Sequence, residues 1–180
     1  MTFRRRLLQF LALLFVVATL AQLWYLGQVL RLQHHNPDSS AYMHRAQKQG
    51  NVQQDWRDYD QISDYLKRAV LISEDAHFTQ HTGFDWEGIR YALKRNMEAG
   101  KPVAGGSTIT QQLAKNLFHE RPSSKLDRIM QKFKEWIIAV RLEKRYTKEE
   151  IFTMYLNTVE FSDNAFGIKS AARIYFIVLR

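Results

Sequence analysis

No cysteine occurs among the 180 residues, so no disulfide framework can exist and the chain must hold itself together by burying apolar surface. No stretch alternates apolar and polar residues as a half-buried strand would, and no segment repeats. A mainly α, helix-dominated domain is the fold these absences leave. No H-E-x-x-H pairs histidines for a catalytic zinc. Acidic side chains are in deficit, 18 against 26 Lys and Arg, for a formal charge of +8. The excess base is not gathered into a patch interleaved with aromatics, so nucleic acid is not an expected partner.

A long apolar run is present. Arg4, Arg5 and Arg6 precede residues 7–30, which are interrupted only by Gln9, Thr19, Gln22 and Gln28. A helical span needs about 20 mostly apolar residues. This run exceeds the roughly 7–15 residues of a cleaved signal's apolar core, and no A-x-A site follows it. The reading is a basic cytoplasmic tail (1–6), an uncleaved transmembrane anchor (7–30) and an exported remainder, with Trp24 and Tyr25 near the far interface. Taking the three arginines from the total leaves +5 for the rest. A basic exported domain beside a bilayer would be drawn to anionic head groups or pyrophosphates. Residues 31–55 are polar and read as a stalk, and 56–180 fit one domain.

Within that domain apolar residues recur at helical spacing. Ile62, Leu66, Ala69 and Val70 mark one helix. Asp85 caps a second that reaches Met97, with Trp86, Ile89 and Leu93 expected inward. Residues 100–106 form a loop with three glycines, 107–118 a third helix, and 119–125 a basic turn. Residues 126–145 form a long helix whose expected core face is Ile129, Met130, Phe133, Ile137 and Val140. Thr147 with Glu150 signs a capping box for the next helix, and a last one is expected over 167–176.

Two segments carry chemistry. In the first, Glu74-Asp75-Ala76-His77-Phe78-Thr79-Gln80-His81-Thr82-Gly83, two carboxylates fall at a helix end. An ionised carboxylate is disfavoured at that negative end of the macrodipole. Burial against Phe78 or Phe84 would act the same way. Both suit a general base; two solvated loop carboxylates are the plain alternative. His77 and His81 are expected to hydrogen-bond the loop that holds the glutamate rather than to bind zinc.

The second segment is Gly105-Gly106-Ser107-Thr108-Ile109-Thr110-Gln111-Gln112-Leu113-Ala114-Lys115-Asn116. Thr108 should cap its helix, with Gln111 completing a capping box. Ile109, Leu113 and Leu117 form a buried stripe. Ser107, Gln111 and Lys115 lie about 200° around from it and are expected to face a cleft. A helix N-terminus behind two glycines also suits an anion. A simple amphipathic surface helix is the alternative. Downstream, Arg128, Lys132 and Glu135 make another polar stripe, either a solvated pair worth a few tenths of a kcal/mol or groups aimed into the cleft.

These residues resemble the motifs of the peptidoglycan glycosyltransferases, the lysozyme-like domains of class A penicillin-binding proteins and of monofunctional transglycosylases. Glu74-Asp75-x-x-Phe78-x-x-His81-x-Gly83 resembles the first motif and the segment from Gly105 to Asn116 the second. Lys132-x-x-Glu135, Tyr155-Leu156-Asn157 and Gly167-x-x-x-Ala171-Ala172-x-x-Tyr175-Phe176 resemble the third to fifth, in order.

The resemblance implies polymerisation of lipid II into glycan strands at the outer, periplasmic or external, face of the cytoplasmic (inner) membrane. It implies Glu74 as general base on the acceptor's 4-hydroxyl and Glu135 as the second catalytic carboxylate. Ser107, Gln111, Lys115 and Lys132 would contact the donor's pyrophosphate. Asp75, Phe78, His81, Thr108 and Asn116 would be further substrate-binding positions. Lipid II, the growing glycan strand, the membrane and other cell-wall synthesis proteins are the implied partners. No resident metal site or cofactor is implied, with Mg or Mn as an accessory cation.

Gln131 stands where the family usually has Arg, and Ser162 where it has Gly. Family domains continue through more helices, so residues 56–180 are expected to be a C-terminally truncated form. The 126–145 and 148–157 helices should then be partly uncovered. A relative that binds lipid II or wall partners without efficient turnover is the alternative function. Lysozyme-type hydrolysis also uses paired carboxylates.

Overall fold

A computed structural model describes residues 3–32, 55–118, 122–161 and 165–177. Nearly all of the expected stalk, residues 119–121 of the basic turn, and Ser162 lie outside the described residues. The chain divides into two units, Met1–Asn36 and Pro37–Arg180.

The first unit is helix α1 (Phe3–Arg31). It takes in Arg4–Arg6, so the helix begins before the expected span. Its 29 residues reach about 43 Å, beyond the roughly 30 Å of a bilayer's hydrocarbon core. Among the described residues it is the one helix long and apolar enough to cross a membrane.

The second unit is built from α2 (Asp64–Glu74), α3 (Trp86–Ala99), α4 (Ile109–Phe118), α5 (Lys125–Arg145), α6 (Lys148–Thr158) and α7 (Ile168–Ile177). A 3₁₀ turn, Tyr59–Gln61, precedes α2, and another, Phe78–Gln80, lies between α2 and α3. One isolated antiparallel bridge, Glu160 with Phe166, is present, and no strand occurs among the described residues. The fold is mainly α, as expected. Side-chain caps set the boundaries: Asp85 accepts from the Gly88 amide, Ser124 from Asp127, and Thr147 from Glu150, whose carboxylate accepts in turn from the Thr147 amide.

Helix α4 packs against α5 and α6 at the centre. Every residue of α6 from Ile151 to Thr158 is buried. That overturns the expectation of a partly uncovered 148–157 helix: α6 is the hydrophobic hub. Asn157, 1 % exposed, clasps the start of the domain from the end of this helix. Its Oδ1 accepts from the Arg57 amide at 2.8 Å and its Nδ2 donates to the Arg57 carbonyl at 2.8 Å. Lys169 and Arg173 of α7 pair with Asp55 next door. Gly167 is fixed by space, since a Cβ there would lie 2.7 Å from the Asn157 carbonyl oxygen.

Two helix faces differ from expectation. On α5 the buried residues are Glu135, Ile138, Ala139 and Leu142, at i, i+3, i+4, i+7. Leu126, Ile129, Met130 and Phe133 are half to two-thirds exposed. Small Ala139 lets the Gly83 turn approach α5 closely, with a Cβ on Gly83 only 3.4 Å from the Ala139 backbone. On α3, Trp86 and Leu93 are exposed, while Ala92 and half-buried Ile89 face in. The Asn96 side chain holds the glycine loop by accepting from the Val103 and Ala104 amides (2.7 and 2.8 Å).

Candidate active site

Glu74 ends α2 and Asp75 follows it, and the two side chains part at once. Asp75 is buried and accepts from His81 Nε2 at 2.9 and 3.0 Å and from the Ile109 amide at 2.9 Å. The Gly83 amide donates to His81 Nδ1 at 3.2 Å, so the ring proton sits on Nε2, facing Asp75. Gly83, at φ 96°, presents its carbonyl to α4. There it accepts from Thr108 Oγ1 and Gln111 Nε2, both at 2.9 Å. The anion at the amino end of α4 is therefore Asp75, supplied by the protein itself.

Several expectations change in consequence. Thr108 accepts from the Gln111 amide at 3.3 Å, but the Gln111 side chain goes to Gly83 instead of closing a capping box. Gln111, 2 % exposed, does not face a cleft. Asn116 and Phe78 are buried as well, and His81 is turned onto Asp75; Thr108 and Asp75, though buried, line the cavity that Glu74 and Ser107 share. Phe78 packs on Phe152 in the core, ring centroids 5.8 Å apart, so it does not enclose Glu74. Phe84 stacks on Trp86.

Glu74 is exposed. Its Oε2 accepts from Gln112 Nε2 at 2.9 Å, and Gln112 Oε1 accepts from the Tyr155 hydroxyl at 3.1 Å. The outward residues of α4 are thus Gln112 and half-buried Lys115, at i and i+3. Glu74 and Ser107 line one cavity of about 400 Å³, together with Glu87, Tyr91, Gly105 and Gly106. A Cβ on Gly106 would lie 3.0 Å from Ile89 Cα, so only glycine brings this loop so near α3.

From α5, Lys132 Nζ donates to Ser107 Oγ at 3.1 Å and to Glu135 Oε2 at 2.7 Å. Gln131 Nε2 donates to the other Glu135 oxygen at 2.8 Å. Glu135 is 1 % exposed, and a carboxylate so buried requires such partners. The pair is therefore not a solvated surface pair.

A second cavity of about 680 Å³, lined by Phe84, Trp86 and Lys144 among others, shares His77, Asp85 and Glu87 with the first. Between them His77 Nδ1 meets Asp85 Oδ2 at 3.1 Å. The hydrogen bond to Asp85 raises His77 above the usual imidazole range. Burial pushes Asp85 up, but the Gly88 amide and His77 outweigh it and hold the carboxyl below its ordinary value.

Lys148, which precedes the fourth-motif residues Tyr155-Leu156-Asn157, and Glu143, not singled out from the sequence, support this arrangement. Lys148 Nζ donates to Glu143 Oε1 (2.8 Å) and to the His81 carbonyl (2.6 Å), and lies 4.3 Å from the Phe78 ring centroid. Thr110 Oγ1 donates to the same Glu143 oxygen. Among the described residues no three His, Asp or Glu side chains gather as a metal site.

A helical domain that exposes one oriented carboxylate on a cavity edged by Ser107, whose hydroxyl accepts from Lys132, has groups for proton transfer on a hydroxyl-bearing substrate. Comparison with known proteins gives the family. The family model described as transglycosylase matches residues 40–178, and the chain belongs to that family, with its lysozyme-like fold. A protein of Alcanivorax borkumensis named biosynthetic peptidoglycan transglycosylase is 76% identical over 178 residues, which cover 98% of this chain and 70% of the relative. Proteins of the same name from Nitrosomonas eutropha and Chromobacterium violaceum are 43% and 42% identical, covering 94% and 96% of this chain and 71% and 77% of theirs.

Proposed function

We propose that this chain is a peptidoglycan glycosyltransferase that joins lipid II units into glycan strands at a membrane surface. Membership of the family and the relatives' shared name support the activity. The observation that carries the residue roles is the exposed Glu74 carboxylate, held through one oxygen by Gln112, on the cavity that Ser107 also lines.

In this reading Glu74 takes the proton from the acceptor's 4-hydroxyl as that oxygen attacks C1 of the donor sugar. The bond from C1 to the lipid diphosphate breaks, and the diphosphate leaves with the bonding pair. Lys115, Lys132 and Ser107 meet its charge, because ammonium and hydroxyl donors strengthen their hydrogen bonds as phosphate oxygens gain charge. Glu135 orients Lys132. Asp75, His81, Thr108 and Gln111 act beneath the cleft, fixing the loop that aims Glu74. Any divalent cation would arrive on the diphosphate, and no step is routed through one.

The substrate's lipid requires a bilayer within reach. Helix α1 supplies an anchor, with Arg4–Arg6 on the cytoplasmic side and the catalytic unit on the other. The exposed Leu126, Ile129, Met130 and Phe133 on α5, beside Lys125 and Arg128, form an amphipathic surface suited to anionic head groups.

The test is polymerisation of purified lipid II by the full chain and by Glu74→Gln, followed by gel separation of glycan lengths. The parent should build polymer. Glu74→Gln, which keeps size and polarity but accepts no proton, should lose about 10²–10⁴-fold in rate with an unchanged melt. Near-normal turnover by a folded Glu74→Gln protein overturns the assignment.

A further inference from the structure

Glu74 is the end of a hydrogen-bonded chain that begins in the core. Tyr155 lies on α6, 3 % exposed, with its ring stacked on Phe152 at 6.4 Å. Its hydroxyl reaches Gln112 Oε1 at 3.1 Å, and Gln112 Nε2 reaches Glu74 Oε2 at 2.9 Å. The polarity of this chain is determined. An ionised carboxylate only accepts, so it must meet the amide NH₂ of Gln112, and the amide oxygen must then face Tyr155. The phenol must therefore donate. Burial, with the neighbouring Glu74 and Asp75 charges, pushes Tyr155 well above the ordinary phenol range, so it keeps that proton at any physiological pH.

We infer that Tyr155, acting through Gln112, is a positioning residue for the glycosyl transfer. It locks the Gln112 amide in the one orientation that pins Glu74 Oε2, which leaves Oε1 as the oxygen that meets the acceptor hydroxyl. Without the phenol the amide is held at its carboxylate end alone, swings more widely, and lets Glu74 drift from the attack geometry. Misplacing a proton acceptor by an ångström is felt in the chemical step more than in substrate affinity. Tyr155 touches no reacting atom; its rigid seat in α6 is what it contributes. The inference rests on Glu74 being the proton acceptor.

The experiment is a mutant cycle on the full chain, reading lipid II polymerisation as separate kcat and KM, alongside the melting temperature. Tyr155→Phe deletes only the hydroxyl and keeps the ring. It should lower kcat about 5- to 10-fold, the size of one net hydrogen bond, with KM and melting temperature close to the parent's. Gln112→Ala should lower kcat at least as far, and adding Tyr155→Phe to it should cost nothing more, because the phenol acts only through the amide. In a Glu74→Gln background, Tyr155→Phe should leave the residual rate unchanged.

A merely structural tyrosine would lower the melting temperature and leave kcat of the folded fraction intact. A tyrosine acting independently would multiply its loss with that of Gln112→Ala. Either result overturns the inference. If Glu74→Gln itself turns over normally, the underlying reading of Glu74 has failed. If Glu74→Gln is inactive while Tyr155→Phe keeps full kcat, the inference alone has failed.

Discussion

The segment from Glu74 to Gly83 has an underside and a rim, and the two use their polar groups differently. On the underside, Asp75, His81 and Gly83 bond to one another and to Ile109, Thr108 and Gln111. On the rim, Glu74 keeps one carboxylate oxygen outside the Gln112 hydrogen bond and its side chain in solvent. Adjacent carboxylates thus serve opposite ends. The buried one gives up any ligand to fix geometry. The exposed one is free for chemistry because its neighbour is not. The comparison teaches that acid–base groups should be sought one residue away from the carboxylates that hold the frame.

The sharpest way to break this contrast is Asp75→Ala. It strips the acceptor from His81 Nε2 and from the buried Ile109 amide, at about 1–3 kcal/mol for each donor left unpaired. At roughly 2–4 °C per kcal/mol for a domain of this size, the melting temperature should fall by about 10 °C. A variant that melts like the parent yet fails to polymerise would place Asp75 at the substrate instead of in the frame.

Lys115→Ala tests the rim with a smaller effect. It should weaken lipid II binding about tenfold, the loss of one charged hydrogen bond to phosphate, and leave the melt unchanged. Unfolding with undiminished affinity in the folded fraction would move Lys115 to the frame.

The smallest effect concerns the His77–Asp85 pair between the two cavities. His77 is raised in the folded state, so its contribution to stability is complete below its unfolded value of 6.5 and fades as pH rises through its higher folded value. A melting-temperature series from pH 5.5 to 8.5 should show the parent gaining relative to His77→Gln at the acid end, with the gap closing at the alkaline end. A gap that is constant across the series would show that the pair contributes no proton-linked stability.

The sequence made most of the helices legible because caps and periodicity are local. Asp85 and Thr147 begin their helices where expected, and Ile109 and Leu113 are fully buried. Which face of a helix turns inward is decided elsewhere. On α5 the stripe of Ile129, Met130 and Phe133 is bulkier than Ile138, Ala139 and Leu142, though equal in number. The inward face is the one that packs on α4 and meets the Gly83 turn at Ala139, partners that lie far away in sequence. Gln111 and Gln112 show the same limit on α4. Spacing from Ser107 selected Gln111, yet the Gly83 carbonyl, 28 residues earlier, draws that amide inward and leaves Gln112 to Glu74. Glu143 gave no signal because a helix-end Glu looks like any solvated carboxylate until Thr110 and Lys148 are brought to it.

The Asn157 clasp on Arg57 has a consequence for the order of assembly. Its two ends stand 100 residues apart, and closing a flexible loop of that length costs about 4 kcal/mol in chain entropy. A chain emerging from its amino end presents Arg57 long before Asn157 exists to hold it. The domain's opening segment can gain this contact only once α6 has been made, whereas Tyr59 already has a local partner in Lys67. The clasp thus closes a circle between the domain's first residues and its central helix, and α7 adds Lys169 and Arg173 to the same opening segment through Asp55.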